Sequence, residues 1–129
     1  MINTSVYDYI NVMDKAADAA WLRNDAIANN IANQDTPGYK RKDVDFEGAL
    51  RKALENNRYV SMDDKVSRLS SDQLNVGVYT DNSGYSYRLD RNNVDVETEQ
   101  AALAGNQIKY QAIINSMTEE FNNLKAVIK

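Results

Sequence analysis

Asp43, Asp45 and Glu47 form the one cluster of residues in this chain whose types and spacing could do chemistry. A pair of carboxylates can run glycoside hydrolysis, one as the acid and the other as the base or nucleophile. That work needs one carboxyl with a raised pKa, and no apolar run nearby offers a pocket to raise it. An acidic first turn for a short helix accounts for the same three residues more simply. Elsewhere the chemical means are few. The chain has no histidine and no cysteine, which removes the commonest general base, the commonest metal ligand and any thiolate nucleophile or zinc site. No catalytic, cofactor-binding or metal-binding residue is assigned.

The 129 residues fit one domain. Fifteen basic against nineteen acidic residues leave a net charge of -4, the wrong sign for a generic nucleic-acid surface. No small-molecule substrate is indicated. No apolar run reaches the roughly 18 residues of a membrane span, and the first residues lack the basic and apolar regions of a cleaved secretory leader.

The strongest patterning lies at the two ends. Val6, Ile10, Met13, Ala17, Ala20, Asn24, Ile27 and Ile31 step by four and three, a heptad seam interrupted once by Asn24. Ser5 and Asp8 are spaced as a capping box. The spacing predicts a helix from Val6 to about Asn33. Thr36 before Pro37 leaves the helical region, and Pro37-Gly38 suits the centre of a type II turn. At the other end Asp95 is a plausible N-cap, with Glu97 and Glu99 at the positive pole of the helix dipole. Val96, Leu103, Tyr110, Met117 and Leu124 hold one heptad position, and Gln100, Gln107, Ile114, Phe121 and Ile128 the other. Gly105 weakens this helix by about 1 kcal/mol relative to Ala.

Between the ends, Phe46, Leu50 and Leu54 predict a short helix capped by Asp43 or Asp45. Asn56 to Asp72 reads as loop. Leu74, Val76 and Val78, then Tyr85, Tyr87 and Leu89, alternate as a candidate β-hairpin around Asp81-Asn82-Ser83-Gly84. Tyr79, Tyr85 and Tyr87 would cover its face. The expected fold is mainly α: two long amphipathic helices packed in coiled-coil fashion around a small, loop-rich centre. The N-terminal helix and turn occupy residues 1–39, the variable centre 40–91 and the C-terminal helix 92–129, with both termini making one domain. Sixteen asparagines, several within the helices, make those helices dependent on packing partners.

The string Asn29-Asn30-Ile31-Ala32-Asn33-Gln34-Asp35-Thr36-Pro37-Gly38-Tyr39-Lys40 read by itself is a frayed helix end entering a proline-glycine turn. As a whole it closely resembles the signature of bacterial flagellar rod, hook and hook-associated subunits, in the place where that family has it. Tyr39 to Phe46, Asn92 to Glu99, Asn106-Gln107, Tyr110-Gln111 and Phe121 to Lys125 are similar to the proximal-rod branch. The likeness covers roughly residues 1–50 and 90–129, and departs at Gln100 and Gly105.

The resemblance implies a structural subunit of the proximal rod that polymerises through its terminal helices into a torque-transmitting tube. It implies export by the flagellar type III apparatus with the N-terminus uncleaved, and a place in the basal body outside the cytoplasmic membrane. The partners it implies are other rod subunits, copies of the chain in a helical polymer, and the adaptor joining rod to membrane ring. No cofactor is implied. Val6, Ile10, Met13, Ala17, Ala20, Ile27, Ile31, Leu103, Tyr110, Ile114, Met117, Phe121, Leu124 and Ile128 are then the candidate packing and assembly residues. Another proximal-rod subunit shares nearly the same signature and is the nearest alternative. A peptidoglycan hydrolase acting through Asp43, Asp45 or Glu47 is the more distant one.

Overall fold

A computed structural model describes residues 5–55, 60–83 and 88–128, with Ser5 and Val6 described by their backbone alone. The fold is mainly helical, and two long helices that pack together carry it: α1 (Ser5–Ala32) and α4 (Val96–Val127). Between them come β1 (Lys42–Asp43), α2 (Phe46–Leu54), α3 (Met62–Ser67), a 3-10 turn at Ser71–Leu74 and β2 (Tyr79–Thr80). Among the described residues no helix is long and apolar enough to cross a membrane. The chain divides into two compact units, each drawing on both long helices.

The first unit holds the described residues up to Ala19, Asp45–Val76 and those from Gln111 onward. Asp45 caps α2 by accepting a hydrogen bond from the Gly48 N–H, so the second of the two proposed caps is the one used. Phe46 is buried while Leu50 and Leu54 are half-covered. Within the stretch expected to be loop, Ser61 caps the short α3 by accepting from the Asp64 N–H. Val66 and Leu74 are buried and turn this segment inward. Two polar straps tie it to α1: the Tyr9 hydroxyl donates to Asp63 at 2.7 Å, and the Lys15 ammonium to Asn75 at 2.8 Å.

The second unit holds Ala20–Val44 and Gly77–Tyr110. Its sheet is two residues long on each side: β1 and β2 pair antiparallel, Lys42 opposite Thr80 and Asp43 opposite Tyr79. The strand around Tyr79 therefore meets residues just after the proline-glycine turn. Leu74 lies in the 3-10 turn, and Leu89 is fully exposed in a turn of its own. Tyr85 and Tyr87 of the expected hairpin lie outside the described residues. Asn106 of α4 is buried against α1 here. Ala20 leaves its own carbonyl open to Asn106, whose amide donates to it at 2.8 Å and to the Asn24 side chain at 2.7 Å. A carbonyl has two lone pairs, so it can keep a helical bond and accept a second one.

Candidate functional site: the polar joint of the terminal helices

The turn after α1 forms as its residues dictate. Thr36 accepts from the Tyr39 N–H at 3.2 Å, and Gly38 between them has φ +73°. That is the third position of a type II turn, where glycine alone meets no steric penalty. The Gly38 N–H then donates to the Asp90 carbonyl at 2.7 Å, and the Lys40 ammonium reaches the Arg91 carbonyl. Arg91 also has positive φ, at 63°. Such a backbone costs a non-glycine residue on the order of 1 kcal/mol and persists where neighbours hold it.

Asn92 clamps the same turn from the other side. It is buried, and its amide sits 2.9 to 3.0 Å from the carbonyls of Asn33, Gln34 and Thr36. Each of these carbonyls also accepts a second bond, from the Thr36 N–H, the Arg88 guanidinium and the Tyr39 N–H respectively, so these carbonyls at the end of α1 are fully satisfied. The Asn92 side-chain oxygen takes the Val94 N–H at 2.8 Å, so one residue closes α1 and aims the chain into α4. Asp95 caps α4, accepting from the Glu97 and Thr98 N–H groups.

The centre of the joint is Asn30, fully buried. Its amide donates to the Lys42 carbonyl at 2.7 Å and to Glu99 Oε2 at 3.0 Å. Its oxygen accepts from the Lys42 N–H at 2.8 Å and the Tyr39 hydroxyl at 3.2 Å. Glu99, 1% exposed, takes the Arg41 Nε at 2.7 Å on its other oxygen. Arg41 extends its remaining nitrogens to Asp81 at 2.9 Å and Asp43 at 3.1 Å, while Arg23 donates to Asp43 at 2.7 Å. Two guanidinium groups thus face three carboxylates.

The electrostatics follow the partners. Burial pushes Arg41 toward losing its proton, but hydrogen bonds to Glu99 and Asp81 outweigh it and hold the guanidinium above its ordinary range. Burial would raise Asp43, yet the Arg23 hydrogen bond and the Val44 N–H bring it below the usual carboxylate range. The Ser83 hydroxyl and N–H, with Arg41, lower Asp81 to about 2. Burial and the Glu99 charge raise the Tyr39 hydroxyl.

This disposes of the carboxylate cluster as a hydrolytic pair. Asp43 is held ionised between two arginines, the opposite of what a general acid needs. Asp45 is occupied as a cap, and Glu47 is exposed on α2. Among the described residues no group of three potential ligands is placed to hold a metal ion.

Of the candidate packing residues, Ile10, Ala17, Ala20 and Ile27 are buried. Met13, Ile31, Leu103, Tyr110, Ile114, Met117 and Leu124 are half-covered, Phe121 is 45% exposed and Ile128 75%. The side chain of Val6 lies outside the described residues. The motif residues Asn30, Asn33, Thr36, Gly38, Tyr39 and Lys40 converge on the joint, and Asn29 contributes its carbonyl to Asn33. Pro37 supplies the turn, Ile31 is half-covered, and Ala32 is exposed.

Arg23, Arg41, Asp81 and the network role of Glu99 were not apparent from the sequence. Helical spacing shows Glu99 only as a dipole residue. On α4 the buried polar residues are Glu99 and Asn106, one before Gln100 and Gln107, which are exposed.

The family described as "Flagella basal body rod protein" matches residues 10–40, the seam from Ile10 onward and the whole turn. Flagellar basal body rod protein FlgB of Bacillus subtilis (strain 168) is 36% identical over 119 residues, 92% of this chain and 92% of its own. The chain belongs to the FlgB family of flagellar basal body rod proteins. FlgB of Proteus mirabilis (strain HI4320) is 32% identical, and that of Escherichia coli (strain K12) 28%, each over 114 residues and 83% of both chains. FlgB proteins are structural components of the basal body rod and not enzymes, and this member is one of them. In this FlgB-family chain the shared signature is the stretch that docks on Asn92, Asp90 and Glu99.

Proposed function

We propose that the chain is a subunit of the proximal rod and polymerises through its terminal helices into the tube that carries torque from the membrane ring to the hook. Similarity to FlgB along nine-tenths of both chains carries this reading. The distribution of polarity supports it. The buried groups of the joint are satisfied within the chain, while Phe121, Val127 and Ile128 stay open near the end of α4. Apolar side chains left in water at the end of a helix favour burial against another surface. The neighbours proposed are other rod subunits and the adaptor between rod and membrane ring. Delivery is by the flagellar type III apparatus, without cleavage, to a site outside the cytoplasmic membrane.

Mass spectrometry on purified basal bodies tests the reading. The chain is expected at several copies per particle, with its N-terminal peptide intact. Basal bodies that lack it, from cells that make it, would overturn the proposal.

A further inference from the structure

Residues 88–92 form a clasp on the turn that follows α1. The Gly38 N–H donates to the Asp90 carbonyl at 2.7 Å, the Lys40 ammonium to the Arg91 carbonyl, and the Asn92 amide to the carbonyls of Asn33, Gln34 and Thr36. Three successive residues thus face residues 33–40. The chain bends at Arg91 to present them. There φ is 63°, and the Arg91 N–H donates to the Arg88 carbonyl at 3.2 Å.

Glycine takes this left-handed region freely, whereas an ordinary L-residue is disfavoured there by about five- to thirtyfold. The Arg91 side chain does not offset that: it is exposed and has no hydrogen bond or ion pair among the described residues. What holds the conformation is the backbone carbonyl, and the group on that carbonyl is Lys40. A charged donor on a carbonyl makes a shorter and stronger bond than a neutral one. Lys40 is half-covered, and among the described residues the Arg91 carbonyl is the one partner of its ammonium.

We propose that Lys40 is a positioning residue that holds Arg91 left-handed, and that the non-glycine at 91 makes closure of the clasp conditional on a formed turn. Asn92 is next in the chain, and its oxygen takes the Val94 N–H at 2.8 Å just ahead of the α4 cap. Without Gly38 and Lys40 in place, residue 91 returns to the right-handed or extended backbone open to any L-residue. The Asn92 amide then turns away from the end of α1, and α4 is no longer aimed at Asn30. A glycine at 91 would let the clasp preform without the turn. The device lies within one chain, so its test on the purified protein stands apart from the rod reading.

Lys40→Met keeps most of the side chain and removes the donor. Its effect is read by amide hydrogen exchange at the Gly38 and Val94 N–H groups, which are freed when the clasp opens. Exchange at both should quicken about fivefold or more. In the same variant the short distance between Hα and the N–H hydrogen that marks positive φ should lengthen at Arg91, as seen by NMR. Adding Arg91→Gly should bring exchange back to within about twofold of the parent. Adding Arg91→Ala instead, which loses the guanidinium but keeps a Cβ, should restore nothing. Arg91→Gly alone should leave the thermal midpoint at or above that of the parent, because relief of the left-handed backbone offsets the greater freedom of glycine in the unfolded chain.

Unchanged exchange or unchanged φ in Lys40→Met would mean that Lys40 does not hold the clasp, and overturns the proposal. No rescue by Arg91→Gly, or equal rescue by Arg91→Ala, would show that the left-handed backbone is not what Lys40 offsets, and does the same. So does a lower thermal midpoint for Arg91→Gly, which would mean that the Arg91 side chain itself supports the fold. If circular dichroism shows Lys40→Met unfolded, Arg91→Gly must restore its folding and Arg91→Ala must not, or the proposal falls.

Discussion

Asn30→Asp changes one atom type at the centre of the joint and almost nothing in volume, so its effect isolates hydrogen bonding and charge from packing. The parent amide donates to Lys42 O at 2.7 Å and to Glu99 Oε2 at 3.0 Å. In the variant both donors become acceptors, and two carboxylates face each other at that 3.0 Å separation. At an effective dielectric of about 20, two like charges so placed repel by about 5 kcal/mol. Small domains have total stabilities of about 5–15 kcal/mol, so the variant should lose most of its margin at pH 7. It has a way out, which is to keep a proton and donate it to Glu99. The introduced carboxyl therefore has a folded pKa raised above its unfolded value of about 3.9. A raised folded pKa contributes stability below the unfolded value and loses it as pH rises through the folded one. Urea unfolding followed by circular dichroism should thus find Asn30→Asp close to the parent near pH 4 and far less stable at pH 7. Equal stability at both pH values would refute the claim that this network holds the helices together.

Three further outcomes follow from the same geometry. Gly38→Val should cost at least about 1–2 kcal/mol in thermal unfolding, because φ is +73° while a new Cβ meets nothing within 4 Å; Gly38→Asn, which tolerates that backbone, should lose less, and equal losses would show that φ is not the cause. Asp43 and Asp81 have lowered pKa values, so their contribution is present above about pH 4 and lost as pH falls through the folded values, near 2 for Asp81. Asp81→Asn should flatten that acid limb, and an unchanged limb would remove Asp81 from the account. Phe121→Ala, at a position 45% exposed, should cost the free chain about 2 kcal/mol or less, below the 3–5 kcal/mol of a buried phenylalanine, yet impair swimming. A swimming strain would exclude Phe121 from assembly.

Periodicity made the long helices legible because α1 buries Ile10, Ala17, Ala20 and Ile27 along one stripe and α4 half-covers Leu103, Tyr110, Ile114, Met117 and Leu124 along another, and the turn was legible because proline and glycine constrain φ directly. The joint was not. Asn30 and Glu99 are 69 residues apart, and nothing in local spacing says that a buried asparagine will meet a buried glutamate. The C-terminal seam shows the same limit. Apolar spacing favoured Phe121 and Ile128, but the buried residues at the start of α4 are Glu99 and Asn106, polar groups whose burial depends on partners from elsewhere in the chain. The expected hairpin fell short for a related reason. Tyr79 and Thr80 alternate well enough for a strand, but their partner is chosen by where the proline-glycine turn delivers Lys42 and Asp43. Long-range polar pairing, unlike amphipathic periodicity, leaves no one-dimensional trace.

The central claim is that this chain is a rod subunit whose terminal helices must be joined correctly for the rod to form. Electron microscopy of basal bodies from a strain deleted for the chain, complemented with either the parent or Asn30→Asp, tests it most directly. Membrane rings without a rod are expected in the deletion strain, complete rods with the parent, and ring-only particles with Asn30→Asp at neutral pH. Complete rods in the deletion strain would contradict it.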